Sequence, residues 1–502
     1  MSEARPRSRR LVLPELLGRG ARAHGDRPAL VYGDTARTHG ELHDRAARLA
    51  AALAARGVRH GDRVALLLHN GFEFPESLLA CHRLGAVAVP INFRLTADEI
   101  AYILDDAGAV ALVAGDRPEG LARPHVELTV GAAYEAAIAG SDPAPQADVD
   151  EHDAALLCYT SGTTGRPKGA ILTHANLVAA TLSWIHEMQA GADDVWLSGQ
   201  PLFHIGGING LLPFLALGAT SIVVPTAGFD PASAVRLIAE HAVTMCIFVP
   251  TQWDAVCASP EVRAVHRDRL RVAMWGASPA ARSTLEEMAR TFPNADIVSA
   301  YGQTEMSGAT TLLKGRDATR KVGSVGLPMI NVELRVVDDQ LRDVGPGVVG
   351  EIVYRGPMVM QGYLGLPDAT AEAFKGGWFH SGDLATRDAE GYLRLVDRKK
   401  DMIVSGGENI YPAEVERVLR EHPDVADAAV IGVPHARWVE SPVAFVVRAG
   451  RAVGEEELLA LCRDRLAGYK KPSAFHFVEE LPRNAAGKVT KRVLREQHIR
   501  SH

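Results

Sequence analysis

The stretch YTSGTTGRPKG, residues 159–169, gathers hydroxyls, glycines and one lysine in a pattern suited to gripping phosphate. Ser161, Thr163 and Thr164 can each donate to a phosphate oxygen, and Gly162, Gly165 and Gly169 let the backbone approach closely. It is not a P-loop. Counting from Gly162, the second glycine position is Pro167, and Lys168 is followed by Gly169 instead of a magnesium-binding hydroxyl. Taken alone, the run is equally a solvated Gly/Thr loop, and the rest of the chain must decide.

The elements around it set the context. The apolar run Ala154–Tyr159 reads as a buried strand leading into the loop. Upstream, ELHDRAARLAAALAARG carries Leu42, Ala46, Leu49 and Leu53 at helical spacing with Gly57 as a stop, and a strand follows at Val64–Leu68. Thr96 and Glu99 form a capping box that opens another helix. The runs CIFVP (246–250), VAMWG (272–276) and DIVSA (296–300) continue an alternation that predicts parallel sheets covered by helices. From about Val322 to Val396, short β-rich runs punctuated by glycine predict a small antiparallel subdomain. Beyond DRKKDM (397–402) the pattern is compact α+β. The fold class is therefore α/β multidomain: a large N-terminal domain, 1–399, of helix-covered sheets with a small β subdomain, and an α+β C-terminal domain, 400–502.

Bulk properties exclude several functions. A chain of 502 residues with 47% apolar and 23% charged residues is ordinary globular material, and a net charge of −7 argues against a duplex nucleic-acid partner. Five cysteines without CxxC spacing indicate neither a zinc knuckle nor a disulfide framework, which fits a reducing cytoplasm. The run LLPFLALGATSIVVP, 211–225, is too short to span a bilayer and is broken by Pro213, Gly218 and Ser221. Arg5, Arg7, Arg9 and Arg10 before LVLPELL make a poor signal peptide and a frayed tail, with peripheral membrane contact at most.

Three further stretches join the opening loop: YGQTE at 301–305, WFHSGDLATRDAEGYLRLVDRKKDMIVSGGENIYPAEVE at 378–416, and PRNAAGKVTKRVLRE at 482–496. In this order and at these separations the four resemble the adenylate-forming superfamily of acyl-CoA and aryl-CoA synthetases, adenylation domains and luciferases. The layout is most similar to bacterial fatty-acyl-CoA synthetases. The resemblance implies that ATP activates a carboxylic acid as its acyl-adenylate with loss of pyrophosphate. Thr160, Ser161, Gly162, Thr163, Thr164 and Lys168 would then belong to the loop that grips the β- and γ-phosphates. Lys488 matches the catalytic lysine, aimed at charge on the α-phosphoryl oxygens. Glu305 matches the Mg2+ ligand, with Thr304 beside it on phosphate. Gly276, Ala277, Ser278, Tyr301 and Gly302 would line adenine, and Asp383 and Arg398 would hold the ribose. His204 matches an aromatic gate between the acyl pocket and the carboxylate site.

The same resemblance implies a second step, in which the C-terminal domain rotates about a hinge at Lys400 and Gly407 and Trp438 help form a tunnel for the pantetheine of CoA. Here the chain departs from its relatives. They read Trp-Gly-Glu, whereas this chain has Trp438, Val439 and Glu440. The branched side chain leaves two alternatives to CoA open, an amine or a carrier-protein thiol. A nucleotide-binding protein without catalysis is disfavoured by the joint retention of Lys488, Glu305, Asp383 and Thr164. The candidate acyl-pocket stretches 204–212, 249–256, 274–280 and 306–313 hold one acid, Asp254, and no Arg or Lys. A second carboxylate there would be buried and unpaired, so the expected substrate is a monocarboxylic acid with a fatty or aryl body. An oligomer is compatible with all of this.

Overall fold

The computed structural model describes residues 10–121, 125–160, 166–226, 228–263, 267–276, 280–405, 408–435, 437–450, 453–484 and 487–501. The chain divides into two compact units, one running to Leu334 with Tyr354–Phe379, the other comprising Arg335–Val353 and His380–His502.

The first unit is built on two sheets. In one, the strands Ala154–Thr160, Val87–Pro90, Arg63–Leu67, Ala109–Ala114 and Val126–Thr129 run parallel in that order. Lys168–Thr173 and then Gly362–Tyr363 extend its edge antiparallel. The other sheet has nine strands, with Asp296–Gln303, Val272–Gly276, Met245–Phe248, Val195–Ser198 and Thr220–Val223 parallel through its middle. Their near-continuous burial follows from helices lying on both faces, which is why these strands read as unbroken apolar runs.

The helices begin where local chemistry requires. Thr38 Oγ1 accepts from Glu41 N at 3.1 Å while Thr38 N donates to Glu41 Oε2 at 2.8 Å, and this reciprocal pair opens the helix His39–Ala55. Leu42, Ala46, Leu49 and Leu53 form its buried stripe, and the chain turns away at Gly57, whose φ is 104°. Thr96 and Glu99 make the anticipated second capping box at the start of Ala97–Ala107. The apolar run 211–225 supplies the end of the helix Ile205–Leu217 and the strand Thr220–Val223, both buried core. No helix among the described residues is long and apolar enough to cross a membrane.

Within the candidate pocket stretch 249–256, one residue is core. Trp253 is fully buried, its Nε1 donating to Met274 O at 2.6 Å and its ring 5.2 Å from Phe248 and 5.8 Å from Phe292. A large aromatic with a satisfied N–H is core, so Trp253 is scaffold. Asp254, one position on, is exposed.

In the second unit the β-rich residues form a four-stranded sheet ordered 333–337, 350–355, 379–387, 393–398. A second sheet pairs Glu408–Ile410, Ile403–Ser405, Val439–Arg448 and Val425–His435, with Ala474–Val478 parallel to Val439–Arg448. Asp397, near the end of the first sheet, accepts Ala413 N at 2.7 Å and so caps the helix Pro412–Arg420. It ties the strand Leu393–Arg398 to that helix within the second unit. All five cysteines are free and buried, and burial pushes the Cys81 and Cys158 thiols up to about 12.

Candidate active site

The strands Ala154–Thr160 and Lys168–Thr173 pair antiparallel with Thr160 opposite Lys168, so the two ends of the phosphate-type loop meet. Ser161, Gly162, Thr163 and Thr164 lie outside the described residues. Thr160 Oγ1 donates to Glu305 Oε1 at 3.2 Å, joining the loop's root to the acid of YGQTE. A second donor, the hydroxyl of Tyr363, reaches the same oxygen at 3.0 Å. The Lys168 ammonium stands 5.2 Å from the Tyr363 ring centroid.

Local backbone fixes this cluster. Tyr363 pairs with Ala170 across the sheet edge, Leu364 N donates to Gly169 O at 2.8 Å, and Met360 N donates to Glu305 O at 2.8 Å. Glu305 itself lies on a single 3₁₀ turn, Thr304–Met306, closed by Ser307 at φ 54°. Just before it, Gly302 could not be any other residue, since a Cβ there would stand 2.0 Å from Gly308 O. Burial first, then the Glu305 charge and hydrogen bond, push the Tyr363 phenol well above its ordinary value, so it stays a protonated donor.

Among the described residues, no group of three or more His, Cys, Asp or Glu could hold a metal by itself. A single carboxylate beside a phosphate loop fits Mg2+, which takes one or two protein carboxylates and draws its other ligands from phosphate and water.

Gly276 ends the strand Val272–Gly276 and pairs with Ala300, beside Tyr301, on the parallel neighbour Asp296–Gln303. These are carboxyl ends of parallel strands, where open α/β sheets leave a ligand crevice. Tyr301 O accepts from Thr310 Oγ1 at 3.1 Å. Ala277 and Ser278 lie outside the described residues. His204 is exposed at the N-cap of the helix Ile205–Leu217, its ring 4.5 Å from Phe203.

The second unit carries the remaining candidates. Asp383 and Arg398 face each other on paired strands, Arg398 Nε lying 2.6 Å from Asp383 Oδ1. Asp383 is 5% exposed, so its carboxylate is presented from a rigid, dry base. Lys488 is exposed on a tight turn in which its N–H donates to Asn484 Oδ1 at 3.0 Å and its carbonyl accepts Asn484 N at 2.9 Å. Trp438 is 42% exposed with the Arg437 guanidinium 4.4 Å from its ring centroid, and Val439 pairs with Ser405. Val439 is 70% exposed and has φ 72°, a left-handed value that a β-branched residue adopts only under strain. Gly407 lies outside the described residues.

Sequence reasoning missed Tyr363. The available signal was only the GYL at 362–364, a lone aromatic without spacing to any other site residue. Its role arises from a pairing between strands about 190 positions apart in the chain.

Comparison with known proteins agrees with this geometry. Residues 17–364 match the family model of the AMP-binding enzymes, and 414–488 match that of the AMP-binding enzyme C-terminal domain. The chain is 41% identical to a feruloyl-CoA synthase from an Amycolatopsis species, over 95% of this chain and 97% of that one. It is 37% identical to an indoleacetate–CoA ligase of Aromatoleum aromaticum, over 97% and 98% of the two chains. Among solved structures, the o-succinylbenzoate-CoA synthetase of Bacillus subtilis, in complex with its acyl-adenylate intermediate, superposes with a TM-score of 0.86 at 34% identity, covering 97% of this chain and 98% of that one. With a site of this chemistry and relatives matched almost end to end, the chain belongs to the AMP-binding, adenylate-forming enzymes.

Proposed function

We infer that the protein is an ATP-dependent acid–CoA ligase acting on an aromatic or aryl-alkanoic monocarboxylic acid. In the first step a carboxylate oxygen attacks the α-phosphorus, the bond to the bridging β-oxygen breaks, and pyrophosphate leaves. In the second, the CoA sulfur attacks the acyl carbon, the thiol proton passes to solvent, the bond from that carbon to the phosphate oxygen breaks, and AMP leaves with its electron pair.

The observation that carries the adenylation step is the Glu305 carboxylate held by Thr160 and Tyr363 at the root of the phosphate-type loop. Mg2+ bound through Glu305 would offset phosphate charge. Thr160 and Tyr363 fix the carboxylate's direction, so no reorganisation is needed when charge shifts. Thr304 and Lys168 flank the phosphates, Gly276, Tyr301 and Gly302 receive adenine, and Asp383 with Arg398 receives the ribose hydroxyls. Lys488 stabilises charge in the first step only. The domain 400–502 then swings about Lys400, and Trp438 and the Gly407 segment take over.

The acid class rests on two supports. The feruloyl- and indoleacetate-specific relatives carry aromatic acids in their names. The candidate pocket stretches carry no Arg or Lys and one acid, Asp254, which is exposed, so their sequence offers no partner for a second carboxylate. A second reading, transfer to an amine, is favoured by one observation, the strained and exposed Val439 at the position where the family resemblance leads one to expect glycine.

The test is pyrophosphate release from ATP and Mg2+ across a panel of fatty, aryl and dicarboxylic acids, followed by mass analysis of products formed with CoA and an amine both present. Aryl-CoA thioester is the expected product. Amide alone, with no thioester even transiently, would overturn the CoA assignment, and preference for long-chain fatty acids would overturn the acid class.

A further inference from the structure

Glu351 takes no part in any motif of the sequence, yet its carboxylate lies at the root of the strands that bear Asp383 and Arg398. It is 6% exposed on the strand Gly350–Arg355. Its Oε1 accepts Gly382 N at 3.1 Å. Its Oε2 lies 3.0 Å from His380 Nδ1 and accepts from Lys399 Nζ at 3.0 Å. These three residues are not scattered. His380 and Gly382 lead directly into Asp383, and Lys399 follows Arg398.

Gly382 has φ 70°, a conformation glycine adopts freely but is not compelled to keep. Something must select it, and the bond from its N–H to a buried carboxylate does so. Ser381 adds a second tie, its Oγ donating to Ile352 O at 2.6 Å and accepting Asp383 N at 3.0 Å. Just past the other strand, Lys399 Nζ also meets Asp339 Oδ1 at 2.9 Å, so the residue after Arg398 is anchored from two sides. A buried carboxylate would be costly without partners, and here its partners come from one of the two strands or from the residue directly after the other.

We propose that Glu351 is a positioning residue for nucleotide binding: it clamps the turn before Asp383 and the residue after Arg398, so that the two side chains meet the same ribose. The proposal rests on the reading of Asp383 as the ribose ligand. Glu351 touches no substrate. Neutralising it would leave the strands paired while loosening the direction in which Asp383 and Arg398 point.

The experiment compares ATP with 2′,3′-dideoxy-ATP in acid-dependent adenylate formation and in direct binding. Hydrogen bonds to a charged group contribute about 1.5–3 kcal/mol, so the native protein should favour ATP by about tenfold or more. Glu351→Gln should collapse that preference to about twofold by weakening ATP and leaving the dideoxy compound nearly unchanged, because only ribose-hydroxyl contacts depend on the clamp. A merely structural role would weaken both nucleotides alike. Lys399→Met, at a half-exposed side chain, should fold normally and lower the preference part of the way; if Glu351→Gln does not fold, this variant decides alone. Asp383→Asn separates the two readings. If it leaves the ATP preference intact, the ribose assignment falls. If it abolishes the preference while Glu351→Gln and Lys399→Met retain it, Glu351 is not the clamp.

Discussion

Tyr363 and Thr160 place their hydroxyls on one and the same oxygen of Glu305, at 3.0 and 3.2 Å. Two donors on one oxygen leave the other, Oε2, for a cation, and they come from different strands of one sheet edge. Tyr363→Phe should therefore lower the adenylation rate about tenfold and raise the Mg2+ concentration needed for half-maximal rate, since one net hydrogen bond to a charged group is lost. Pyrophosphate exchange at graded Mg2+ measures this. An unchanged Mg2+ dependence would detach Tyr363 from the metal-binding role proposed for Glu305.

Lys488→Ala should slow adenylate formation by about 10² to 10³, the loss expected for one preorganised charge-stabilising donor. Thioester formation from presynthesised acyl-adenylate should hardly change if, as proposed, Lys488 serves the first step only. Equal damage to both half-reactions, measured separately, would contradict alternation of the C-terminal domain.

Val439→Gly tests strain and acceptor access together. A left-handed conformation costs a non-glycine residue about 1–2 kcal/mol, and the glycine's extra freedom when unfolded returns part of that. The substitution should raise the unfolding midpoint of the C-terminal portion by a few degrees and lower the apparent KM for CoA at constant adenylation rate. A lower midpoint, seen by calorimetry, would show that the valine packs usefully.

The rings of His82 and His174 lie 5.6 Å apart in full burial, and burial lowers their pKa values to about 3 and about 4. Unfolded, each would take a proton near pH 6.5, so below that pH the unfolded chain binds protons that the native one refuses. Stability should fall as pH drops from about 6.5 towards about 4, by up to about 2.7 kcal/mol per pH unit for two such groups. Denaturant midpoints at pH 7, 6 and 5 give the slope. His82→Gln and His174→Gln should flatten it, and a slope indifferent to both would remove the pair as its cause.

Sequence reasoning reached the site unevenly, for physical reasons. Capping boxes are local, so Thr96 and Glu99 could be read three residues apart and were found bonded as expected. Parallel strands buried on both faces announce themselves as apolar runs, so VAMWG and DIVSA were legible as sheet. Asp383 and Arg398 were named from a motif, and their pairing across a hairpin joined them in space. Tyr363 and Glu351 could not be found in this way. Each acts through partners on other strands, and neither a lone tyrosine nor a lone glutamate carries periodicity. Trp253 lies in the candidate pocket stretch 249–256, and only the fold shows that its satisfied indole sits in the core.

The seclusion of all five cysteines makes the native chain nearly silent towards thiol reagents, which attack the thiolate. Cysteines introduced at one exposed site in each unit would then be the only groups to take up a fluorophore. Energy transfer between such a pair, followed through addition of ATP, acid and CoA, would report domain alternation in solution without first stripping the protein of its own sulfur.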